Sequence, residues 1–190
     1  MKVVLSGFGA FFGVDDNPTE PIAEKAPVPD GVEIERHVLA VTSAACDAFL
    51  DAVLPQRPDL LLCFGVAATS ENIHLETAAY NELKPAYKGE FDARIIAPHG
   101  VKKTSTALSG LPELADKLST YGLAAAVSDD PGRYICNYLY YTALQQAPAL
   151  THPQTKVLFV HVPLPTKAHP LEKLTMLPQL IIEDVCNEAF

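Results

Sequence analysis

Apolar runs too short for helices alternate along the chain with segments whose apolar residues recur at three- and four-residue spacing. Lys2 to Leu5 reads as a strand that breaks at Gly7 and Gly9. Asn17-Pro18-Thr19-Glu20 has the form of a helix start, with Asn17 as N-cap and Pro18 at the first position. Val32 to Val41 is a second extended run. Ser43 to Leu54 has helical spacing (Ala44, Phe49, Val53, Leu54) and is ended by Pro55 and Pro58. Asp59 to Gly65 is continuously apolar after its first residue, the mark of a strand buried on both faces. A short extended piece follows at Ile73 to Ala79. Leu111 to Tyr121 is helical with Gly122 as C-cap, Leu123 to Val127 is a strand, Tyr134 to Gln146 a helix and Lys156 to Val162 a strand. Leu171 to Asn187 is a last helix, interrupted near Pro178.

This alternation predicts a three-layer α/β domain around a mostly parallel sheet, one domain over residues 1–190. Residues 81–106 stand apart: polar, without a period, and holding Pro85 and Pro98. So long a stretch in a compact domain is expected to be functional, and a lid that orders on substrate is the reading it suggests.

Composition narrows the function classes. A formal charge of -9 argues against nucleic acid as a partner, because phosphate binding needs a surplus of Lys and Arg. No apolar window approaches the ~20 residues needed to span a bilayer, and the apolar start is too short for a signal peptide. The four cysteines are scattered without C-x-x-C or Cys/His spacing, so neither a disulfide framework nor a metal site is expected. A cytoplasmic protein with reduced thiols is the expectation.

In open α/β sheets, ligands bind beyond the carboxyl ends of strands. That rule selects residues 7–13, 65–69, 129–136 and His161, which should converge on one cleft. Cys136 lies near a helix start, after Asp130-Pro131-Gly132-Arg133, where backbone N–H groups and the helix dipole favour a thiolate. Most free cysteines are inert packing. Cys63, inside an apolar strand, fits that description, and Cys46 and Cys186 carry no special signal. His161 closes the strand Val157-Leu158-Phe159-Val160. Such a histidine is more often a core or edge residue, but beside a thiolate it is a general base. Glu76, an acid inside an apolar stretch, is the candidate to orient it; the bland alternative is a strand-edge carboxylate facing water. His37, His74, His99, His152 and His169 show no ligand spacing and read as surface residues.

Five segments resemble the pyroglutamyl peptidase I (pyrrolidone-carboxylate peptidase) family. They are Leu5 to Gly13 with Asn17-Pro18; Pro58 to Gly65; Ile73 to Glu76 continuing to Asn81; Gly132-Arg133-Tyr134-Ile135-Cys136-Asn137-Tyr138-Leu139-Tyr140-Tyr141; and Phe159 to Pro163. They occur in the family's order over nearly the whole chain, the cysteine segment being the most specific. The resemblance implies an α/β/α sandwich around a twisted, mixed sheet, a Cys136–His161–Glu76 triad without metal or cofactor, and a homotetramer acting on peptides with N-terminal pyroglutamate. It also implies Phe8, Phe11 and Tyr134 as walls around the lactam ring, Asn17 and the Val66 backbone as readers of its N–H and C=O, and Arg94 as support for the oxyanion. The chain departs from the family pattern at Phe12, 66–69, Thr77 and 95–99. Two other readings follow: a divergent cysteine amidase for another small acyl group, and an inactive oligomeric binding module.

Overall fold

The computed structural model describes residues 1–86, 90–150 and 155–187. Six strands form the main sheet: β1 (Lys2–Phe8), β2 (Glu33–Leu39), β3 (Leu60–Val66), β4 (Ile73–Glu76), β7 (Ala125–Ser128) and β8 (Lys156–Val162), in the order β2-β1-β3-β8-β4-β7. Neighbours run parallel except β4 against β8. A separate two-stranded ladder pairs β5 (Ala78–Tyr80) with β6 (Lys103–Ser105), antiparallel.

Strand side chains alternate between two cores. On one face, Val3, Leu5, Leu60, Leu62, Phe64, Leu158, Val160 and Ile73 are covered by α1 (Thr19–Lys25), α3 (Leu111–Thr120), α5 (Leu171–Leu174) and α6 (Leu177–Asn187). On the other, Val4, Leu61, Cys63, Val157 and Phe159 lie under α2 (Ser43–Val53) and α4 (Ile135–Leu150). This is the expected α/β/α sandwich around a mostly parallel, mixed sheet. The central strands β3 and β8 are buried on both faces, which is why they carry no polar alternation until Gly65 and His161.

The structure revises three expectations about elements. Ile73 to Ala79 is two strands, because Thr77 leaves the sheet: its N–H and hydroxyl both donate to the Ser128 carbonyl, at 2.7 and 2.9 Å. Helix α4 runs past Gln146 to Leu150 and contains Pro148. Around the break in the last helix, α5 ends at Leu174 and Pro178 lies in the first turn of α6, where a proline costs no hydrogen bond. In the 81–106 stretch, Leu83 bridges Arg94, and the Asn81 side chain holds the backbone of Ala97 at 2.7 Å in both directions. Residues 87–89 of that stretch lie outside the described residues, so its reading as a lid rests on sequence alone.

Gly7 sets how closely α1 can approach the sheet. A Cβ there would stand 2.0 Å from the Thr19 carbonyl oxygen, which is backbone and cannot rotate away. Gly7→Ala is therefore expected to lower stability by about 3 kcal/mol, read as a lower urea midpoint. An unchanged midpoint would contradict the tight seating of α1.

Candidate active site

The reversal between β8 and β4 creates the first half of the site. His74 lies opposite His161, and Glu76 opposite Phe159, so Glu76 is one diagonal step from His161 on the same face. His161 Nδ1 is 2.8 Å from Glu76 Oε1, and both side chains are buried. A carboxylate can only accept here, so Nδ1 carries the proton and Nε2 is left for the thiol. Glu76 Oε2 has no partner among the described residues, so the imidazole is the carboxylate's hydrogen-bonding counterpart. Burial of the ring works against its charge. Hydrogen bonds and charges of Cys136 and Glu76 outweigh that effect and push the imidazole up to about 9.

The second half comes from the start of α4. Cys136 is its second residue, and the helix opens with the Tyr138 N–H bonded to the Tyr134 carbonyl. The N–H groups of Ile135, Cys136 and Asn137 therefore precede the helix's own hydrogen bonds and concentrate positive potential at the thiol. The residues after Cys136 fasten α4 to the strands. Asn137, fully buried, holds both backbone groups of Tyr80 and the Glu82 carbonyl, each at 2.8 Å. Tyr140 donates to the Glu76 carbonyl at 2.7 Å, and Tyr141 to Val101 at 2.8 Å. One helix thus carries the thiol and fixes the backbone of the acid. The thiol meets the sheet at Gly65, where a Cβ would lie 2.7 Å from Cys136 Sγ and 2.9 Å from the Phe159 ring.

Cys136, His161 and Glu76 open onto a cavity of about 530 Å³. Phe8, Phe11, Asn17, Val66 and Tyr134 also line it. Phe11 is held by a tight turn in which it exchanges both backbone hydrogen bonds with Val14, at 3.1 and 2.8 Å. Tyr134 lies parallel to Phe91 and donates to Glu90. Helix α1 starts one residue later than predicted, with Pro18 rather than Asn17 as its N-cap. Asn17 Oδ1 still accepts from the Thr19 N–H at 3.0 Å, and Nδ2 donates one hydrogen to the Gly9 carbonyl at 2.9 Å. The structure does not bring Arg94 to this cavity. Its exposed guanidinium lies beside the Phe91 ring and 3.4 Å from Ser43 Oγ, on a neighbouring depression.

Residues 129–136 converge on the cavity as expected, but the strand-end rule applies differently. β7 runs with β4 and against β8, so its carboxyl end faces the other way. The segment still arrives because β4 and β7 are short: Ser128 pairs with Glu76, level with Phe159 and only two residues from His161. Two histidines read as surface residues are not. His74 forms part of the cavity wall, and His169 is buried with Nε2 3.1 Å from the Glu71 carbonyl. His74 sits at the alternate position from Ile73 and Leu75, a signal visible once Glu76 is placed on the same strand face. His99 is exposed, His37 is half-buried beside Glu35, and His152 lies outside the described residues. Burial pushes the Cys63 thiol up to about 12 and raises Cys46 further, which fits packing roles for both. Asp130 and Arg133 line the cavity within the selected 129–136 segment, and Ser70, just past 65–69, lines it without having been singled out.

Comparison with known proteins decides the family. The pyroglutamyl peptidase family model matches residues 1–187. The chain belongs to the pyroglutamyl peptidase family. It is 31% identical to the pyrrolidone-carboxylate peptidase of Pyrococcus furiosus over 172 residues, covering 86% of this chain and 81% of that one. Identity to the Bacillus subtilis protein of the same name is 29% over 180 residues, covering 85% and 78%. The crystal structure of pyrrolidone carboxyl peptidase from Fervidobacterium islandicum superposes with a TM-score of 0.87 at 26% identity, covering 98% of this chain and 99% of that one. A mutant P. furiosus pyrrolidone carboxyl peptidase shares the fold, with a TM-score of 0.86 at 23% identity over 100% of both chains. Two of the departures from the pyroglutamyl peptidase pattern have distinct structural places. Residues 66, 67 and 69 line the cavity, whereas Thr77 ties β4 to β7.

The contact at Gly65 yields a test. In Gly65→Ala the new methyl must displace the Cys136 thiol or the Phe159 ring on which His161 packs, at 4.9 Å between centroids. Alkylation of Cys136 by iodoacetamide is expected to slow by on the order of tenfold as the thiol leaves His161. An unchanged rate, with the protein still folded, would show that the thiol has room the structure denies it.

Proposed function

We propose that the protein is a cysteine exopeptidase that removes N-terminal pyroglutamyl residues from peptides. Membership of the pyroglutamyl peptidase family supports this. The observation that carries it is a thiol at a helix start that shares one cavity with an imidazole whose other nitrogen is held by a buried carboxylate. Nothing in the cavity favours an inactive binding module, which would have no need of a charged histidine beside a thiol.

In this reading Cys136 gives its thiol proton to His161 Nε2, and the thiolate Sγ attacks the carbonyl joining pyroglutamate to the next residue. The carbonyl oxygen becomes an oxyanion, held by backbone N–H groups at the start of α4; one such donor is worth about 100–1,000-fold in rate. The C–N bond then breaks, and His161 gives its proton to the departing amine. Water, deprotonated by His161, attacks the thioester and releases pyroglutamate, restoring the thiol. Glu76 fixes the tautomer of His161 and stabilises its charged form. Phe8, Phe11 and Tyr134 enclose the flat lactam ring. The second Nδ2 hydrogen of Asn17, left over after Gly9, donates to the lactam C=O, while the Val66 carbonyl accepts from its N–H. Arg94 has no part in the chemistry. The chain acts as one catalytic domain in a homotetramer in the cytoplasm, a setting that suits four free thiols; no described helix is long and apolar enough to cross a membrane.

Purified protein is expected to hydrolyse a pyroglutamyl amide and to leave prolyl and glutaminyl amides nearly untouched, and Cys136→Ala to lose at least about 10,000-fold in kcat. Hydrolysis undiminished in Cys136→Ala, or a preference for another amide, would refute the proposal. The pH profile follows from His161. Because its folded value is raised to about 9, the imidazolium persists through neutral pH, and kcat/KM is expected to fall as pH rises through about 9. Glu76→Gln removes a charge that raises this value, so the alkaline limb should move to lower pH and kcat should drop about 100-fold or more. A limb that stays in place would exclude Glu76 as the partner that sets it.

A further inference from the structure

The strand order divides the cavity into two ends. Phe8, Phe11 and Asn17 belong to β1 and the segment after it, and Val66 ends β3. Next across the sheet comes β8 with His161, and the Cys136 thiol meets the sheet at Gly65, beside it in register. Beyond β8 lies β4, whose His74 also lines the cavity together with Ser70. A substrate with its lactam among the aromatic walls and its scissile carbonyl at Cys136 must therefore extend its next residue over β4, towards His74 and Ser70.

Hydrogen bonding fixes the state of His74. Ser70 Oγ donates its one proton to the Asn72 carbonyl at 2.8 Å and accepts from the Asn72 N–H at 3.1 Å. The remaining contact, His74 Nε2 to Ser70 Oγ at 3.2 Å, must then be donated by the imidazole. In the neutral ring this leaves Nδ1 as an acceptor. It has no hydrogen-bond partner among the described residues, on a ring that forms part of the cavity wall.

We propose that His74, oriented by Ser70, is a specificity residue that recognises a hydrogen-bond donor on the side chain following pyroglutamate. This rests on the pyroglutamyl peptidase reading above. A hydroxyl there donates to His74 Nδ1, whereas an apolar isostere leaves that acceptor stripped of water and unpaired. Threonine and valine have nearly the same shape and differ in this hydroxyl, so they isolate the effect.

The experiment compares kcat/KM for pyroglutamyl-threonine amide and pyroglutamyl-valine amide, following release of pyroglutamate. Wild-type protein is expected to favour threonine by about 3- to 10-fold, the worth of one such hydrogen bond. In His74→Leu, and to a smaller degree in Ser70→Ala, the ratio should fall towards one. A ratio is independent of how much of a variant folds, so a poorly folding preparation still reports. A wild-type ratio of one, or a preference that survives His74→Leu, overturns the inference and leaves the proposed function standing. An equal loss on both substrates that keeps the ratio also overturns it, since it marks His74 as a positioning residue for His161. Wild-type protein that releases pyroglutamate from neither peptide overturns both.

Discussion

A buried acid and a buried imidazole, 2.8 Å apart across the one antiparallel step in the main sheet, are the constraint around which this molecule is arranged. Neither charge is tolerable alone in such a place. Breaking a buried pair by removing one partner typically costs about 3–5 kcal/mol. The pair requires β4 to lie beside β8 with Glu76 level with Phe159, and a slip of one residue would turn Glu76 into the opposite apolar core. The register is protected from outside the sheet: Tyr140 holds the Glu76 carbonyl, and Thr77 ties the end of β4 to Ser128. Stability and function draw on the same contacts here.

Helix α4 is the second organising element, and its sequence is dense because it has several tasks. Cys136 needs the first turn for its backbone N–H groups. Asn137, Tyr140 and Tyr141 need the following positions to reach Tyr80, Glu76 and Val101. The helix must also come so close to the sheet that Gly65 admits no side chain. This density explains why residues 132–141 are the most specific part of the family resemblance. Most of those positions place the thiol and the strands around it rather than touch a substrate.

The sequence made the fold legible wherever burial was one-sided or complete. Lys156 to Val162 is a strand at its predicted limits because every residue after the first is buried. Legibility failed where a single hydrogen-bonding side chain decides the path, as at Thr77, which divides an apparently continuous extended run. The direction of β4 was hidden too, since antiparallel pairing next to a buried strand leaves no trace in periodicity. Cys136, His161 and Glu76 could be singled out because each sits in an unusual local setting, and the structure brings those three side chains together. Arg94 shows the opposite case: the resemblance implies a place near the oxyanion, yet its side chain lies beside Phe91 and Ser43, outside the cavity.

His74 illustrates what an alternating pattern can carry when one position is already assigned. Glu76 must face His161, so His74, two residues earlier, must face the same way. Lone histidines give no such signal, so the sequence by itself assigns this one to the surface. The antiparallel register then places it directly opposite His161, on the side of the thiol away from Phe8 and Phe11. The reversal that lets Glu76 hold His161 also directs a second imidazole into the cavity. Strand direction at β4 thus fixes the partner of the acid and furnishes the wall beyond the scissile bond.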